Sequence, residues 1–353
     1  MILPVERSPL AEIEVIAPNL KRRLSGVTAT VVRLLPVQAQ SINIAGTGLG
    51  LPAHVPFVPL WSVILMSRRK HRVWHARRNT EMLLGVVLRH VLRKRLKLVF
   101  TSASQRHHTR YTRWLIARMD AVVATSGKSA SYLRRPSRVI MHGIDTGSFH
   151  PPTDRAVSRQ LINLPDCITV GCFGRIRHQK GTDVFVDAML NVLPLYRDVT
   201  AVVMGRATKK HQRFLEQLRA KVSKAGLQAR ILFLPEVSVE DMPNWYRALD
   251  LFVAPQRWEG FGLTPLEAMA CGVPVIATTA GVFDEIVLEG RTGCIVPPGN
   301  VDEMTTEINK ALDSPELLKR QSKEARRHVV MSRFRIEDEA AALNKLYREL
   351  LDD

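Results

Sequence analysis

Two carboxylates bracket a glycine-rich turn in Trp258-Glu259-Gly260-Phe261-Gly262-Leu263-Thr264-Pro265-Leu266-Glu267-Ala268. The apolar run 249–255 before this turn predicts a buried strand. Residues 265–271 after it predict a helix that has Pro265 at its first position. A junction of this kind presents unpaired backbone amides and the positive end of a helix dipole. It therefore suits an anion or a cluster of hydroxyl groups.

A structural interpretation of the same residues is also open. Thr264-Pro265-Leu266-Glu267 has the pattern of a capping box, with Thr264 as N-cap and Glu267 as the third helical residue. That interpretation does not explain Glu259. It also leaves unexplained Gly260 and Gly262, which allow a backbone to approach a ligand closely.

The spacing of Glu259 and Glu267 resembles the Glu-x7-Glu motif of retaining glycosyltransferase family 4. The resemblance runs from about residue 139 to 300, and within the family the chain is most similar to bacterial lipopolysaccharide core mannosyltransferases. It implies the α/β fold class GT-B, in which two Rossmann-like domains with parallel sheets face each other across a cleft. It also implies a nucleotide-sugar donor.

The resemblance implies a role for each residue of the donor site. Glu259 and the loop amides would hold the donor sugar, and these amides belong to Gly260, Phe261, Gly262 and Leu263. Glu267 would accept hydrogen bonds from the ribose hydroxyls of the nucleotide. Val237 stands where the family binds the nucleotide base.

A second element, Gly174-Arg175-Ile176-Arg177-His178-Gln179-Lys180-Gly181, lies between a predicted strand at 168–173 and a predicted helix at 183–193. Cations beside a helix N-terminus are unfavourable by about 0.3–1 kcal/mol each, and a bound diphosphate would remove that conflict. Solvated surface cations are the alternative. The element resembles the family's Gly-Arg…Lys-Gly segment, which implies that Arg175 and Lys180 neutralise the pyrophosphate.

Strands that alternate with helices predict parallel sheets covered on both faces. Further strands are predicted at 199–204 and 231–234. Ligands of such sheets bind outside the carboxyl ends of the strands. Because each of them follows a predicted strand, we expect four residues to lie along one sheet edge, namely Gly174, Gly205, Val237 and Glu259.

The charge is divided unequally along the 353 residues. Residues 1–150 hold 24 Lys and Arg against 6 Asp and Glu, whereas 151–353 hold 27 against 27, so the whole net charge of +18 lies in the first part. The division predicts two domains with different partners. Together with the resemblance, it implies a basic, membrane-facing, acceptor-binding domain at 1–150 and a nucleotide-sugar-binding domain at 151–330. A C-terminal helix within 331–353 is expected to cross back to the first domain.

Two clusters of cations in the first domain accompany the apolar run 55–66, which contains Trp61. The clusters consist of Arg68, Arg69, Lys70 and Arg72, and of Arg93, Lys94 and Arg95. An apolar segment with an aromatic residue beside cations is typical of a membrane interface. A core helix followed by solvated charges fits the pattern equally well. The first interpretation predicts contact with an anionic membrane surface and with a lipid-linked anionic glycan acceptor.

The N-terminus lacks the basic-then-apolar order of a signal peptide. The run 55–66 is too short to span a bilayer. The cysteines have neither C-x-x-C nor zinc-site spacing, which is typical of a reducing compartment. These features predict a cytoplasmic protein, and the resemblance implies that it is peripheral on the inner face of the bacterial inner membrane.

The resemblance implies transfer of a hexose with retention of the anomeric configuration. The hexose would be mannose from GDP-mannose, and the acceptor would be Kdo in the lipopolysaccharide inner core. The alternative is a UDP-sugar and another anionic lipid-linked glycan. Arg175 and Lys180 would stabilise the leaving diphosphate, and Glu259 would anchor the hexose. The family places a catalytic His after the strand predicted at 98–101, and the nearest candidates are His107 and His108. Because the chain contains no Asp-x-Asp, neither a metal nor another cofactor is expected.

Two other classes of protein compete with this interpretation. The net charge suits a nucleic-acid-binding protein, but the sequence has no RNP signature, zinc finger or basic zipper, so no nucleic-acid partner is expected. The second is a hydrolase or an epimerase of the same fold that acts on nucleotide sugars. Detection of net glycosyl transfer, instead of sugar release or inversion at the sugar, would distinguish a transferase from both.

Overall fold

The computed structural model describes residues 10–21 and 26–353. The chain forms two compact units. The first unit comprises Met1–Gly143 together with Ile336–Asp353, and the second comprises Ile144–Arg335. The second unit therefore begins before residue 151, the start predicted from the sequence, and it ends after residue 330.

The first unit contains a parallel sheet. Its strands are β1 (Val15–Asn19), β2 (Ile44–Gly48), β3 (Arg72–Ala76), β4 (Leu96–Ser102), β5 (Ala121–Ala124) and β6 (Arg138–Val139). Their order in the sheet is β2-β1-β3-β4-β5-β6. Within the described residues, the helices between the strands are α1 (Gly26–Gln38), α2 (Leu60–Leu65), α3 (Asn79–His90), α4 (Arg110–Ile116) and α5 (Gly127–Ser131).

The second unit repeats this architecture. Its strands are β7 (Ile168–Phe173), β8 (Val199–Met204), β9 (Ile231–Leu234), β10 (Leu251–Ala254), β11 (Val275–Thr278) and β12 (Gly293–Val296), in the sheet order β12-β11-β10-β7-β8-β9. Its helices are α6 (Arg155–Leu161), α7 (Thr182–Val192), α8 (Gln212–Lys224), α9 (Met242–Arg247), α10 (Thr264–Ala270), α11 (Phe283–Ile286), α12 (Val301–Asp313) and α13 (Pro315–Met331). Two parallel α/β sheets of this kind confirm the predicted pair of Rossmann-like domains.

The last helix, α14 (Ile336–Asp352), belongs to the first unit although it follows the second in the chain. It packs on α1 and β3. The helix is amphipathic, so one apolar stripe covers the sheet while the opposite face remains in water. The buried residues of that stripe are Ile336, Ala340, Leu343, Leu346 and Tyr347.

A buried histidine joins α14 to the sheet of the first unit. On β3, His75 Nδ1 lies 2.5 Å from the Tyr347 hydroxyl, and Nε2 lies 2.6 Å from the Thr101 hydroxyl. Burial, with a smaller contribution from the charge of Arg77, holds the pKa of His75 well below its ordinary value. A neutral imidazole offers one donor and one acceptor, so it satisfies both hydroxyl groups.

We expect the free energy of unfolding of the first unit to fall as the pH drops below about 6.5. His75 stays neutral in the folded unit because its pKa is lowered, whereas in the unfolded chain it binds a proton, so acid favours unfolding. This one group contributes a slope of up to about 1.4 kcal/mol per pH unit. Urea unfolding of the wild type and of His75→Gln between about pH 5 and pH 7.5 measures it. The free energy of unfolding should change less with pH in the variant than in the wild type. Parallel profiles would contradict the assignment of the pH dependence to His75.

Candidate functional site

The carboxyl ends of β7, β8, β9 and β10 lie at one edge of the second unit's sheet, because these strands pair in parallel. The residues that follow these ends, in strand order, are Gly174, Gly205, Val237 and Glu259. Strand topology therefore brings these four residues to the same edge, as the sequence predicts.

Two glycines hold the loops after β7 and β8 against each other. Gly205 has φ of +150°, and a Cβ atom there would lie 1.8 Å from the carbonyl oxygen of Gly174. Only glycine fits such an approach. The Gly174 amide also donates to the Met204 carbonyl oxygen at 2.9 Å. Arg175 is exposed directly beside this contact, and its guanidinium has no hydrogen bond or ion pair with any residue that the structure describes.

The loop after β7 is also fastened to the loop after β10. Gly181 has φ of +68°, and a Cβ atom there would lie 1.8 Å from the Pro255 carbonyl oxygen. Arg257 binds the two carboxylate oxygens of Asp183 at 2.7 and 2.8 Å. Such a bidentate pair holds both loops rigidly. The local sequence does not mark Arg257 as a site residue, and it marks Asp183 only as an acidic residue in the first turn of α7.

This arrangement places Lys180 against Glu259. The Lys180 ammonium forms an ion pair with one oxygen of the Glu259 carboxylate, whose other oxygen accepts a hydrogen bond from the Gly260 amide at 3.0 Å. Their side chains are 17% and 20% exposed, so a polar ligand can reach the pair. The sequence interpretation assigned the two residues to different parts of the donor, and the structure brings them into direct contact.

The glycine-rich loop after β10 packs on the loop after β11. A Cβ atom on Gly262, which has φ of +91°, would lie 2.3 Å from the Phe283 ring, and the Val282 amide donates to the Phe261 carbonyl oxygen at 3.1 Å. Within the described chain, four amides near this turn have no hydrogen-bond acceptor; they belong to Gly262, Leu263, Thr264 and Leu266. These donors can bind an anion or sugar hydroxyls.

The capping-box interpretation of this segment is wrong. Helix α10 begins at Thr264, its N-cap is Leu263, and no side chain caps it. Glu267 instead accepts a hydrogen bond from the buried Tyr246 hydroxyl at 2.9 Å, and its side chain is only partly buried. Its carboxylate is therefore not used as a helix cap.

Two of the predicted surface cations in the first unit are structural, and their assignment to the acceptor or membrane is wrong. Arg72 is 3% exposed and donates to the carbonyl oxygens of Ile13 and Ser67 at 3.0 Å each. Lys94 is 8% exposed and donates to the Met66 carbonyl oxygen. Burial is the main cause that lowers the pKa of both side chains. Both cations tie loops to the sheet and cannot face a membrane.

The other predicted cations are accessible. Lys70 is partly buried and donates to the carbonyl oxygens of Ala11 and Glu12 at 3.1 and 2.8 Å. Four arginines are exposed, namely Arg68, Arg69, Arg93 and Arg95. Helix α2 precedes them with Trp61 and Leu65 exposed by 63% and 74%, although Ser62 and Val63 are buried. The apolar run thus contributes both to the core and to an exposed patch.

The two candidate histidines of the first unit differ in position. The ring of His107 is exposed and lies edge-on to Tyr132, with 5.3 Å between ring centroids. His108 Nε2 lies 3.3 Å from the hydroxyl of Ser102, the last residue of β4. Burial, and then the charges of Arg106 and His107, lower the pKa of His108.

Among the residues that the structure describes, no group of three or more His, Cys, Asp or Glu side chains is arranged to hold a metal ion. In the same part of the chain, no helix has the length and apolar character needed to cross a membrane.

Comparison with known proteins identifies relatives over almost the whole chain. The chain described here is 49% identical over 350 residues to lipopolysaccharide core biosynthesis mannosyltransferase LpcC of Rhizobium leguminosarum bv. viciae, and the match covers 98% of each chain. It is 50% identical over 351 residues to lipopolysaccharide core biosynthesis mannosyltransferase LpsB of Rhizobium meliloti (strain 1021), covering 97% of this chain and 99% of the relative.

A solved structure of HepE from Anabaena, in complex with UDP, has a TM-score of 0.81 and covers 96% of this chain and 100% of its own. Its sequence identity is 21%, so this likeness concerns the fold alone, and it confirms the GT-B class. Residues 155–328 match the family described as glycosyl transferases group 1. The loops that carry Arg175, Lys180, Glu259 and Glu267 lie inside this match, and the chain belongs to the group 1 glycosyltransferases.

Proposed function

We propose that this glycosyltransferase moves mannose from GDP-mannose onto Kdo in the lipopolysaccharide inner core, with retention of the anomeric configuration. The observation that carries the proposal is the identity of 49–50%, over 97–98% of the chain, to two lipopolysaccharide core mannosyltransferases. The matched residues span both units, so the donor-binding loops and the acceptor-binding unit are both included.

In the proposed complex, the donor diphosphate binds at the ends of β7 and β10. Arg175 supports this, because its exposed guanidinium is unpaired among the described residues. Lys180 exchanges Glu259 for a phosphate oxygen as its partner. The released Glu259 carboxylate then accepts hydrogen bonds from the hexose hydroxyls, and Glu267 accepts from the ribose hydroxyls.

The same groups act in the transition state. As the bond between the anomeric carbon and the phosphate oxygen breaks, negative charge accumulates on the departing nucleoside diphosphate. Arg175, Lys180 and the unpaired amides of Gly262 and Leu263 stabilise that charge because they are fixed in position before the reaction begins.

The direct test incubates the full chain with a Kdo-bearing lipid acceptor and with GDP-mannose or UDP-glucose. We expect transfer from GDP-mannose and an NMR spectrum in which the new linkage keeps the donor's anomeric configuration. Preference for the UDP-sugar would favour the alternative donor, and an inverted linkage would exclude a retaining mechanism. Release of free sugar, or inversion at a sugar carbon without transfer, would indicate a hydrolase or an epimerase.

Activity is expected to survive chelation by EDTA. In the proposed site the cations neutralise the diphosphate, which a divalent metal does in other transferases. Initial rates with and without excess EDTA should agree within error. A complete loss of activity that Mg²⁺ or Mn²⁺ restores would contradict this mechanism.

We further propose that the protein docks on the cytoplasmic face of the inner membrane. The support is an exposed patch in the first unit in which Trp61 and Leu65 of α2 accompany Arg68, Arg69 and Arg95. Indole and leucine side chains suit the boundary between headgroups and acyl chains. Each arginine near an anionic surface contributes about 1 kcal/mol, and salt screens this contribution.

Liposome co-sedimentation measures this docking. Binding should require anionic lipid, fall as salt rises, and weaken about tenfold or more when Arg68, Arg69 and Arg95 are replaced with serine. The matched control replaces Lys209 and Lys210, two exposed cations of the second unit, and should bind as the wild type does. Equal binding to neutral vesicles would show that the basic surface has another role.

A further inference from the structure

A pocket of about 360 Å³ in the first unit is not explained by the donor site or by the exposed apolar patch. The polar groups of its lining are those of His107, His108, Arg113, Tyr132, Arg134 and Arg135, and no described Asp or Glu lines it. Its volume is in the range of pockets that bind small molecules, about 300–1,000 Å³.

The pocket has a rigid frame. Arg135 donates from one guanidinium nitrogen to the carbonyl oxygens of Ile116 and Met119, at 2.9 Å each, which fixes the segment after α5 onto the end of α4. His108 is held at 3.3 Å from Ser102, at the carboxyl end of β4. Ligands of parallel sheets bind at this edge.

Three other polar groups of the lining lack a hydrogen-bond partner in the part of the chain that the structure describes. Within the described residues, the guanidinium groups of Arg113 and Arg134 make no hydrogen bond or ion pair, and the Tyr132 hydroxyl makes no hydrogen bond. The guanidinium groups of Arg113, Arg134 and Arg135 repel one another around one concave space, because none of the described lining residues is a carboxylate that could balance their charge. An anion bound between them would remove that repulsion and accept several charge-assisted hydrogen bonds.

We propose that this pocket binds the anionic group, a carboxylate or a phosphate, of the sugar that accepts the hexose; this inference rests on the proposed function. A sugar acid or sugar phosphate also fits the apolar part of the lining, because Ile116 and Leu133 can contact the carbon face of a sugar ring. The groups line a concave space, which suits a compact sugar better than it suits a flat bilayer surface.

The test titrates the full chain, without donor, with D-glucuronate and glucose 6-phosphate, and with glucose as their neutral counterpart. Calorimetry gives the Kd, and the NMR signals of the His108 ring report on the pocket itself. We expect at least one acidic sugar to bind about tenfold or more tightly than glucose. Binding should raise the pKa of His108, since a nearby anion favours the imidazolium.

Arg113→Gln and Arg134→Gln should each weaken that binding about tenfold. Neither variant should disturb the fold, because neither guanidinium has a hydrogen bond or ion pair with any described residue. Arg110→Gln is the matched control, since Arg110 lies on the same helix and does not line the pocket. Circular dichroism verifies folding in all three variants.

Three outcomes would overturn the inference: equal binding of glucose and the acidic sugars, binding unaffected by both pocket variants, and inorganic phosphate binding as tightly as glucose 6-phosphate. Binding of anionic vesicles alone, with no response to soluble acidic sugars, would assign the pocket to a lipid headgroup instead. Because these titrations contain no donor, their failure is distinct from a failure of the proposed mannosyl transfer.

Discussion

Replacing Arg175 or Lys180 with alanine is expected to lower kcat by about 10²–10³-fold while changing the Kd for GDP much less. Both cations are proposed to face the diphosphate, and the charge on that group is largest when the bond to the sugar breaks. Lys180 is already paired with Glu259, so donor binding exchanges one anionic partner for another and yields little net affinity.

Steady-state kinetics with GDP-mannose measure the effect on kcat, and calorimetry with GDP measures the effect on the Kd. Lys224→Ala, which removes an exposed cation at the C-terminal end of α8, is the control and should leave both quantities unchanged. Glu259→Gln keeps the size of the side chain but removes its charge, and it should raise KM for GDP-mannose more than it alters GDP binding. If Arg175→Ala and Lys180→Ala weaken GDP binding as much as they lower kcat, the cations only tether the donor.

Glu267→Ala is expected to weaken GDP binding by about 1–3 kcal/mol, because it removes charge-assisted hydrogen bonds to the ribose. The capping-box interpretation would have predicted a loss of helix stability instead. In the structure the cap position is Leu263, and Glu267 accepts from Tyr246, so its main expected effect is on the ligand.

Tyr246→Phe is the matched control for Glu267→Ala. It removes the hydroxyl that donates to Glu267 and leaves the carboxylate in place, so GDP binding should fall only slightly. Calorimetry gives the affinities and thermal unfolding gives the stabilities. Normal GDP binding by a folded Glu267→Ala protein would show that Glu267 is only structural.

Several elements followed directly from local sequence. The predicted strands at 168–173, 199–204 and 231–234 coincide with β7, β8 and β9. These strands are mostly apolar and are followed directly by Gly174, Gly205 and Pro235. A parallel sheet covered on both faces requires such runs, and a breaker at the end fixes the boundary.

The start of α10 did not follow from local sequence. Thr264 and Glu267 match a capping box in residue type and spacing, but the cap position is occupied by Leu263. The backbone there is held by Gly262, which packs against the Phe283 ring, and by Phe261, whose carbonyl accepts from the Val282 amide. Those contacts are made by residues of a different loop, so the local sequence around Thr264 does not predict them.

The sequence by itself determined the fold class and the position of the donor loops, because the signature residues are neighbours in sequence and parallel strands bring their carboxyl ends to one edge. Tertiary structure alone decided which charged side chains pair with other groups of the protein. Lys180 and Glu259 are 79 residues apart and meet only because β7 and β10 are adjacent in the sheet. Arg72 and Lys94 belong to basic clusters in the sequence, yet folding buries them against carbonyl groups. A side chain's burial and partners depend on residues that folding brings near it from distant parts of the chain. Composition and local sequence therefore do not predict them.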